Sequence, residues 1–305
     1  MTSFLTEAFD IKVQNLLKKI KYKNSSFYVL CLHQSSSLIT GNKAWKLKYN
    51  IEEVIRRGMN GVLTFGGTYS NHIYQTARFC NAAGLASVGI IRGEILDNNP
   101  TMLAAKTNGM KLIPLSRSDY KKRFDPEYLE FLQTQFPSLK LLPEGGTNKL
   151  AIQGTTELGN QIGQLCREHI IANVGVSVGT GGTIAGIICG LKNEVYTCGF
   201  GALKGDFLLD DARKLVNNET LVRWGVEDDQ AFGGYAKWNM DLIQFIQEFY
   251  TETNILLDPI YTGKMMFNAY HSDRLDESWM FIHTGGIQGN LGFRKRFGVD
   301  LPITE

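Results

Sequence analysis

The 305-residue sequence predicts an α/β protein of two lobes, each built on a mostly parallel sheet covered by helices. Three observations carry this expectation. Short apolar runs alternate with helical patterns, the connections between them are short, and glycine, serine and threonine gather where strands should end.

Gly61 to Phe65 reads as a strand, closed by Gly66-Gly67 and followed by a helix from about Ser70 to Ala83. Ala86 to Ile91 is the next strand, with a helix from about Asn99 to Asn108 after it. Lys111 to Leu115 and Leu139 to Leu142 complete a first group of strands. The second group is Asn173 to Val178, Val195 to Phe200, Leu221 to Gly225 and Trp279 to His283. Helical stretches lie between them near Thr183 to Leu191, Asp206 to Val216 and Met240 to Glu252. Two groups predict a smaller lobe over residues 52–146 and a larger lobe that combines 1–51 with 147–305. Lys12 to Lys23, rich in lysine and leucine, reads as a solvated amphipathic helix.

Composition narrows the partners. Apolar residues make up 43% and charged residues 20%, with a net charge of +2. That is an ordinary globular balance, without the basic face of a nucleic-acid or anionic-membrane binder. Cys31, Cys80, Cys166, Cys189 and Cys198 are scattered, with no CxxC pair. Reduced thiols in a cytoplasmic protein are expected, and no metal site. The first ten residues carry no basic region followed by an apolar run, so no signal peptide is expected. Ile170 to Leu191 has no charged side chain and could be mistaken for a membrane span. Its six glycines fit a strand, a glycine turn and a buried helix instead.

Four segments concentrate groups that carry chemistry. In Thr40-Gly41-Asn42-Lys43-Ala44-Trp45-Lys46-Leu47, a lysine opens a helix beside glycine and asparagine. Such an amine becomes nucleophilic when desolvation lowers its pKa; alone, an exposed surface lysine explains the pattern as well. In Gly66-Gly67-Thr-Tyr-Ser70-Asn71-His72, free N–H groups at a helix start suit an anion. A plain N-cap by Ser70 or Asn71 is the structural alternative. Ser177-Val-Gly179-Thr180-Gly181-Gly182-Thr183-Ile-Ala-Gly186 is a strand-to-helix turn suited to one phosphate. Ile184 stands where a dinucleotide fingerprint needs glycine, and no Gly-Lys-Ser/Thr closes a Walker loop, so a nicotinamide dehydrogenase is disfavoured. The fourth segment joins Asp258-Pro-Ile-Tyr261-Thr262-Gly-Lys264 with His283-Thr284-Gly-Gly286.

Together, and in this order, GNKxxKL, GGxxSNH, TGGTxAG, DPxYTGK and HTGG resemble the D-cysteine desulfhydrase and 1-aminocyclopropane-1-carboxylate deaminase family, from about Gly41 to Gly289. The resemblance implies the two-lobe fold type II architecture of pyridoxal-phosphate enzymes, a small amino-acid substrate and a homodimer. It implies that Lys43 holds pyridoxal phosphate covalently and that Asn71 bonds its phenolic oxygen. Gly179, Thr180, Gly181, Gly182 and Thr183 would hold its phosphate with Lys46, and Thr262 would face its pyridine nitrogen. Ser70 and His72, with Asn71 and Thr284, would receive the substrate. Tyr261 and Tyr235 would line its side as proton-transfer groups.

Within the resembled family, cyclopropane deaminases carry Glu and Leu where this chain has Thr262 and Thr284. The threonines match the desulfhydrase pattern, which implies β-elimination giving pyruvate, ammonia and sulfide. Ring opening of the cyclopropane amino acid, or cofactor binding without turnover, are the alternatives. The chain departs from the family in Gly233-Gly234-Tyr235-Ala-Lys-Trp, in the segment Cys31 to Ser37, and in Ile287-Gln288-Gly289-Asn290.

Overall fold

The computed structural model describes residues 8–35, 38–205, 207–228 and 232–303. The chain opens with a hairpin, β1 (Leu17–Tyr22) and β2 (Ser25–Cys31), and then α1 (Lys43–Arg56). Next come β3 (Gly61–Gly67), α2 (Asn71–Ala82), β4 (Ala86–Arg92), α3 (Pro100–Thr107), β5 (Lys111–Leu115), α4 (Pro126–Gln135) and β6 (Leu139–Leu142). The second half runs α5 (Lys149–His169), β7 (Asn173–Val178), α6 (Gly182–Leu191), β8 (Tyr196–Gly201), α7 (Phe207–Val216) and β9 (Trp224–Glu227). It closes with α8 (Met240–Thr253), α9 (Thr262–His271), β10 (Trp279–His283) and α10 (Gly289–Phe297).

The strands form two sheets, ordered β5-β4-β3-β6 and β1-β2-β10-β7-β8-β9. All pairings are parallel except that of β1 with β2. Every strand of the smaller sheet lies between residues 61 and 142. Its two faces bury separate clusters, Leu63, Phe65 and Ile90 with Tyr120 and Leu132 on one, Ile73, Ile91 and Met102 on the other. Helices therefore cover both faces, as a parallel sheet requires. The charge-free stretch resolves into β7, a glycine turn and α6, and no helix among the described residues is long and apolar enough to cross a membrane.

Two expectations need correction. Residues 12–23 do not form an amphipathic helix: after a short 3-10 turn, Val13–Leu16, they make edge strand β1. The burial alternates with period two, Ile20 and Tyr22 inside and Lys19 and Lys21 outside, and the two-residue connection Lys23-Asn24 places Lys23 at φ 51°. The strand expected at Leu221 to Gly225 is found at Trp224–Glu227, because Leu221 N closes the preceding turn on Asn218 O and Val222 N donates to the Asn193 side chain. The predicted helix start at Asp206 lies outside the described residues. The unforeseen α5 packs closely on α1: a Cβ at Gly154 would overlap the backbone carbonyl of Trp45.

Candidate active site

A cavity of about 760 Å³ opens beyond the carboxyl ends of the strands of both sheets, where ligands of open α/β folds bind. Lys43 enters it at the first turn of α1. Gly41, at φ 70°, brings the preceding loop so close to Thr284 that a Cβ would overlap its carbonyl oxygen. Asn42 N donates to that same oxygen at 3.1 Å. The GNK turn is thus stitched to the HTGG loop by a contact that only glycine permits.

The Lys43 amine is half-buried and donates to Asn42 Oδ1 at 3.1 Å, while Asn42 Nδ2 donates to Thr183 Oγ1 at 2.7 Å. Burial lowers the Lys43 pKa from 10.5 to about 8. A tenth of the amine is then unprotonated near neutrality, by about one unit of pH. That is the state a carbonyl-reactive lysine needs.

One turn on, Lys46 is 1% exposed. Its Nζ donates to Thr147 Oγ1 at 2.8 Å and to Thr180 Oγ1 at 3.5 Å. Burial, then the nearby Lys43 charge, push its pKa well down. Among the described residues no carboxylate pairs with it. Beside it Gly181, at φ 76°, turns the chain into α6 and leaves N–H groups of the helix start without intrahelical partners. A buried amine with only hydroxyl partners, next to such a turn, fits a phosphate dianion, whose charge would restore its proton. Gly179, Thr180, Gly181 and Thr183 line the cavity; Gly182 does not, its α-carbon packing instead toward Thr147 and Lys46.

Ser70, Asn71 and His72 also line the cavity. Ser70 is the N-cap of α2, its hydroxyl accepting from Ile73 N at 3.3 Å. Asn71 accepts from Gln288 Nε2. His72 is 2% exposed, with Nε2 2.8 Å from Thr64 Oγ1, while Nδ1 has no hydrogen-bond partner among the described residues. Burial, then Lys43 and Lys46, hold its pKa well below the usual range, so the ring is neutral.

Tyr261 and Tyr235 meet edge to face, their ring centroids 6.3 Å apart. Burial raises the Tyr261 hydroxyl pKa well above its ordinary value, while Tyr235 is 41% exposed at the cavity wall; both are phenols that keep their protons at neutral pH. Thr284 lines the cavity, but Thr262 does not. Thr262 is buried, and its hydroxyl donates to Asp258 Oδ2 at 2.6 Å and accepts from Asp258 N at 2.9 Å. The carboxylate of Asp258 stands at the cavity wall, 2% exposed, and also accepts from the N–H groups of Ile260, Tyr261 and Thr262.

Sequence reasoning passed over the wall contributed by Glu144 and Gly145. Tyr120 OH donates to Glu144 Oε1 at 3.0 Å and Arg123 Nε to Glu144 Oε2 at 2.7 Å. A Cβ on Gly145 would press on Thr180, and one on Gly146 on His72, so this glycine pair lets the connection pass between the two binding loops. The signal was present: Leu142 is followed by Glu144-Gly145-Gly146-Thr147, the same strand-then-glycine pattern that marked Gly66-Gly67.

The surrounding fold is shared with known enzymes. A solved structure described as an ACC deaminase homologue superposes with TM-score 0.77 at 24% identity, covering 96% of this chain and 97% of that one. A pyridoxal 5'-phosphate-dependent aspartate racemase gives 0.58 at 14% identity, covering 94% and 95%. The chain thus has the fold type II architecture of the pyridoxal-phosphate enzymes. No family model matches it. A Pyrococcus horikoshii protein provisionally named 1-aminocyclopropane-1-carboxylate deaminase is 30% identical over 274 residues, 84% of this chain and 82% of its own. The bifunctional D-cysteine desulfhydrase/1-aminocyclopropane-1-carboxylate deaminase of Arabidopsis thaliana is 28% identical over 282 residues, 82% and 70% of the two chains. The D-cysteine desulfhydrase of Klebsiella pneumoniae is 28% identical over 270 residues, 81% and 82%. The chain belongs to this deaminase and desulfhydrase family.

Proposed function

We propose that the chain is a pyridoxal-phosphate-dependent lyase that eliminates the β-substituent of a small amino acid of the D-cysteine type. The observation that carries this reading is the Lys43 amine, tuned to about pH 8 and facing the same cavity as the Lys46-Thr147-Thr180 cradle. Bound there, pyridoxal phosphate would withdraw electrons from the substrate's Cα. In this reading Gly179, Thr180, Gly181, Gly182 and Thr183 with Lys46 bind its phosphate, and Asn71 orients its ring. The helix start at Ser70 to His72 receives the substrate carboxylate. Lys43 would take the Cα proton as general base. The β-substituent departs with its bonding pair, and protonated Tyr261 and Tyr235 stand ready to donate to it. The balance for cysteine is cysteine and water to pyruvate, ammonia and hydrogen sulfide.

The purified protein should absorb in the visible, and borohydride should fix the cofactor to the peptide containing Lys43. Lys43→Ala should lose the band and all pyruvate release from D- and L-amino acids. A borohydride-stable linkage to another lysine defeats the assignment. The reading extends to a homodimer of two-lobe protomers, divided as 52–146 against 1–51 with 147–305, acting in the cytoplasm. The separation of the two sheets in sequence supports the division; sedimentation and limited proteolysis test it.

Ring opening of 1-aminocyclopropane-1-carboxylate is a second reading, favoured by the Asp258 carboxylate at the cavity wall where Thr262 is withdrawn. Competition between that substrate and D-cysteine on the wild type decides between the two.

A further inference from the structure

The cavity holds more positive charge than a phosphate and a substrate carboxylate explain. Both acids that line it are already engaged: Asp258 by the turn it caps, Glu144 by Tyr120 and Arg123. Lys46 answers a phosphate. That leaves Arg92, Arg117, Lys121 and Arg296 at the wall, none of them within ion-pair distance of a carboxylate among the described residues.

Arg92 is the best placed of these. It ends β4, paired in register with Gly67, the residue from which the Thr68-Tyr69-Ser70 loop departs. Its guanidinium lies 3.7 Å from where a Cβ on Gly67 would stand, so the bare glycine leaves the arginine room beside the carboxylate-binding loop. On its other side Arg92 is 5.9 Å from the Tyr120 ring. Arg123 approaches the same ring at 4.7 Å but is held by Glu144. Arg92 also acts electrostatically on Tyr235, lowering its hydroxyl pKa against the larger effect of burial. Arg92, exposed at the cavity wall, thus adjoins the loop that leads to the helix start for an α-carboxylate, and lines the same cavity as the tyrosine pair.

We propose that Arg92 is a specificity residue that binds an acidic group on the substrate's side chain, so that the preferred substrate is an amino acid whose β-substituent carries its own anion. This rests on the β-elimination reading above. The bond broken is still that from Cβ to the substituent, whose acidic group goes out with it, and water and the Cα proton complete pyruvate, ammonia and the protonated leaving group. A planar guanidinium with five donors matches a carboxylate, phosphate or sulfonate in two-point contact.

The test compares holoenzyme of the wild type, Arg92→Gln and Arg92→Lys. The substrates are cysteine and β-chloroalanine against O-phosphoserine and S-sulfocysteine, in D and L forms. The wild type should favour the acidic pair in kcat/KM. Arg92→Gln should lower the acidic-to-neutral ratio by about tenfold to a hundredfold, mainly through KM, the scale of a lost charged hydrogen bond. Arg92→Lys should recover part of it. A wild type that prefers the neutral pair, a ratio unmoved by Arg92→Gln, or a loss that vanishes with added salt, as for simple steering, overturns the proposal. An activity-free arm measures thermal protection by succinate against butyrate, whose difference should shrink in Arg92→Gln. If no visible band is seen, the β-elimination reading fails, and the succinate arm still judges Arg92.

Discussion

Lys46 and Thr147 join parts of the chain a hundred residues apart: Nζ of Lys46, from the first turns of α1, donates to Thr147 Oγ1 at 2.8 Å. Thr147 Oγ1 in turn lies 2.7 Å from Thr180 Oγ1 in the glycine turn. This short relay ties the connection leaving the smaller sheet to the turn that ends β7, and holds the buried Lys46 amine facing that turn.

Thr147→Val keeps the shape and removes the relay. The Lys46 charge then has only the 3.5 Å contact to Thr180. Affinity for pyridoxal phosphate should fall about tenfold, the scale of one charged hydrogen bond, in a fluorescence titration of the apoprotein. An unchanged Kd means that the relay does not serve the cofactor.

The glycine turn tests the same cradle from the other side. Gly181 adopts φ 76°, which L side chains rarely accept, and an added Cβ would lie 3.1 Å from Leu215. Gly181→Asp adds strain of about 1 kcal/mol and a negative charge beside the expected phosphate. Cofactor occupancy should collapse while circular dichroism stays native. Full occupancy in a folded variant refutes the phosphate assignment.

The Lys43 amine also couples to stability. Its folded pKa of about 8 lies below its ordinary value of 10.5, so between these pH values the unfolded chain binds more protons than the folded one. Below about pH 8 both states are protonated and the folded apoprotein carries the full cost of the buried charge; the cost fades as pH rises to 10.5. Lys43→Met should therefore stabilise the apoprotein at pH 7 by about 1–2 kcal/mol, after discounting for its partial exposure. The gain should vanish near pH 10.5 in urea titrations. Cofactor uptake by the wild type should speed up through about pH 8. A gain independent of pH points to packing and not to charge.

Helix packing sets where Lys43 stands. A Cβ on Gly154 of α5 would overlap the Trp45 carbonyl of α1. Gly154→Ala should cost about 3 kcal/mol by overpacking, and the shift of α1 should weaken the visible band as well. A variant of wild-type stability removes this contact from the account.

Much of this protein was legible in the chain itself. Glycine pairs at strand ends and period-two or continuous apolar runs are local signals, and they located the strands from Gly61 to Leu142 and from Asn173 to His283 with small shifts. The hairpin at Leu17 to Cys31 was hidden because lysines dominate β1 and only alternate residues are buried, a pattern too short to separate from a helix. The four site segments were visible as motifs, since turns with positive φ and helix starts need particular residues wherever they occur. Their arrangement was not. Thr262 turns to Asp258 because that carboxylate takes its hydroxyl, Thr147 and Glu144 enter the site through a connection between sheets, and Arg92 has no ion-pair partner among the described residues, where its neighbours Tyr120 and Arg123 bond Glu144. Those outcomes depend on which side chains, distant in sequence, compete for the same partner once the two sheets close on one cavity. Local sequence determined the elements and the motifs; tertiary packing decided which of their side chains remain free for chemistry.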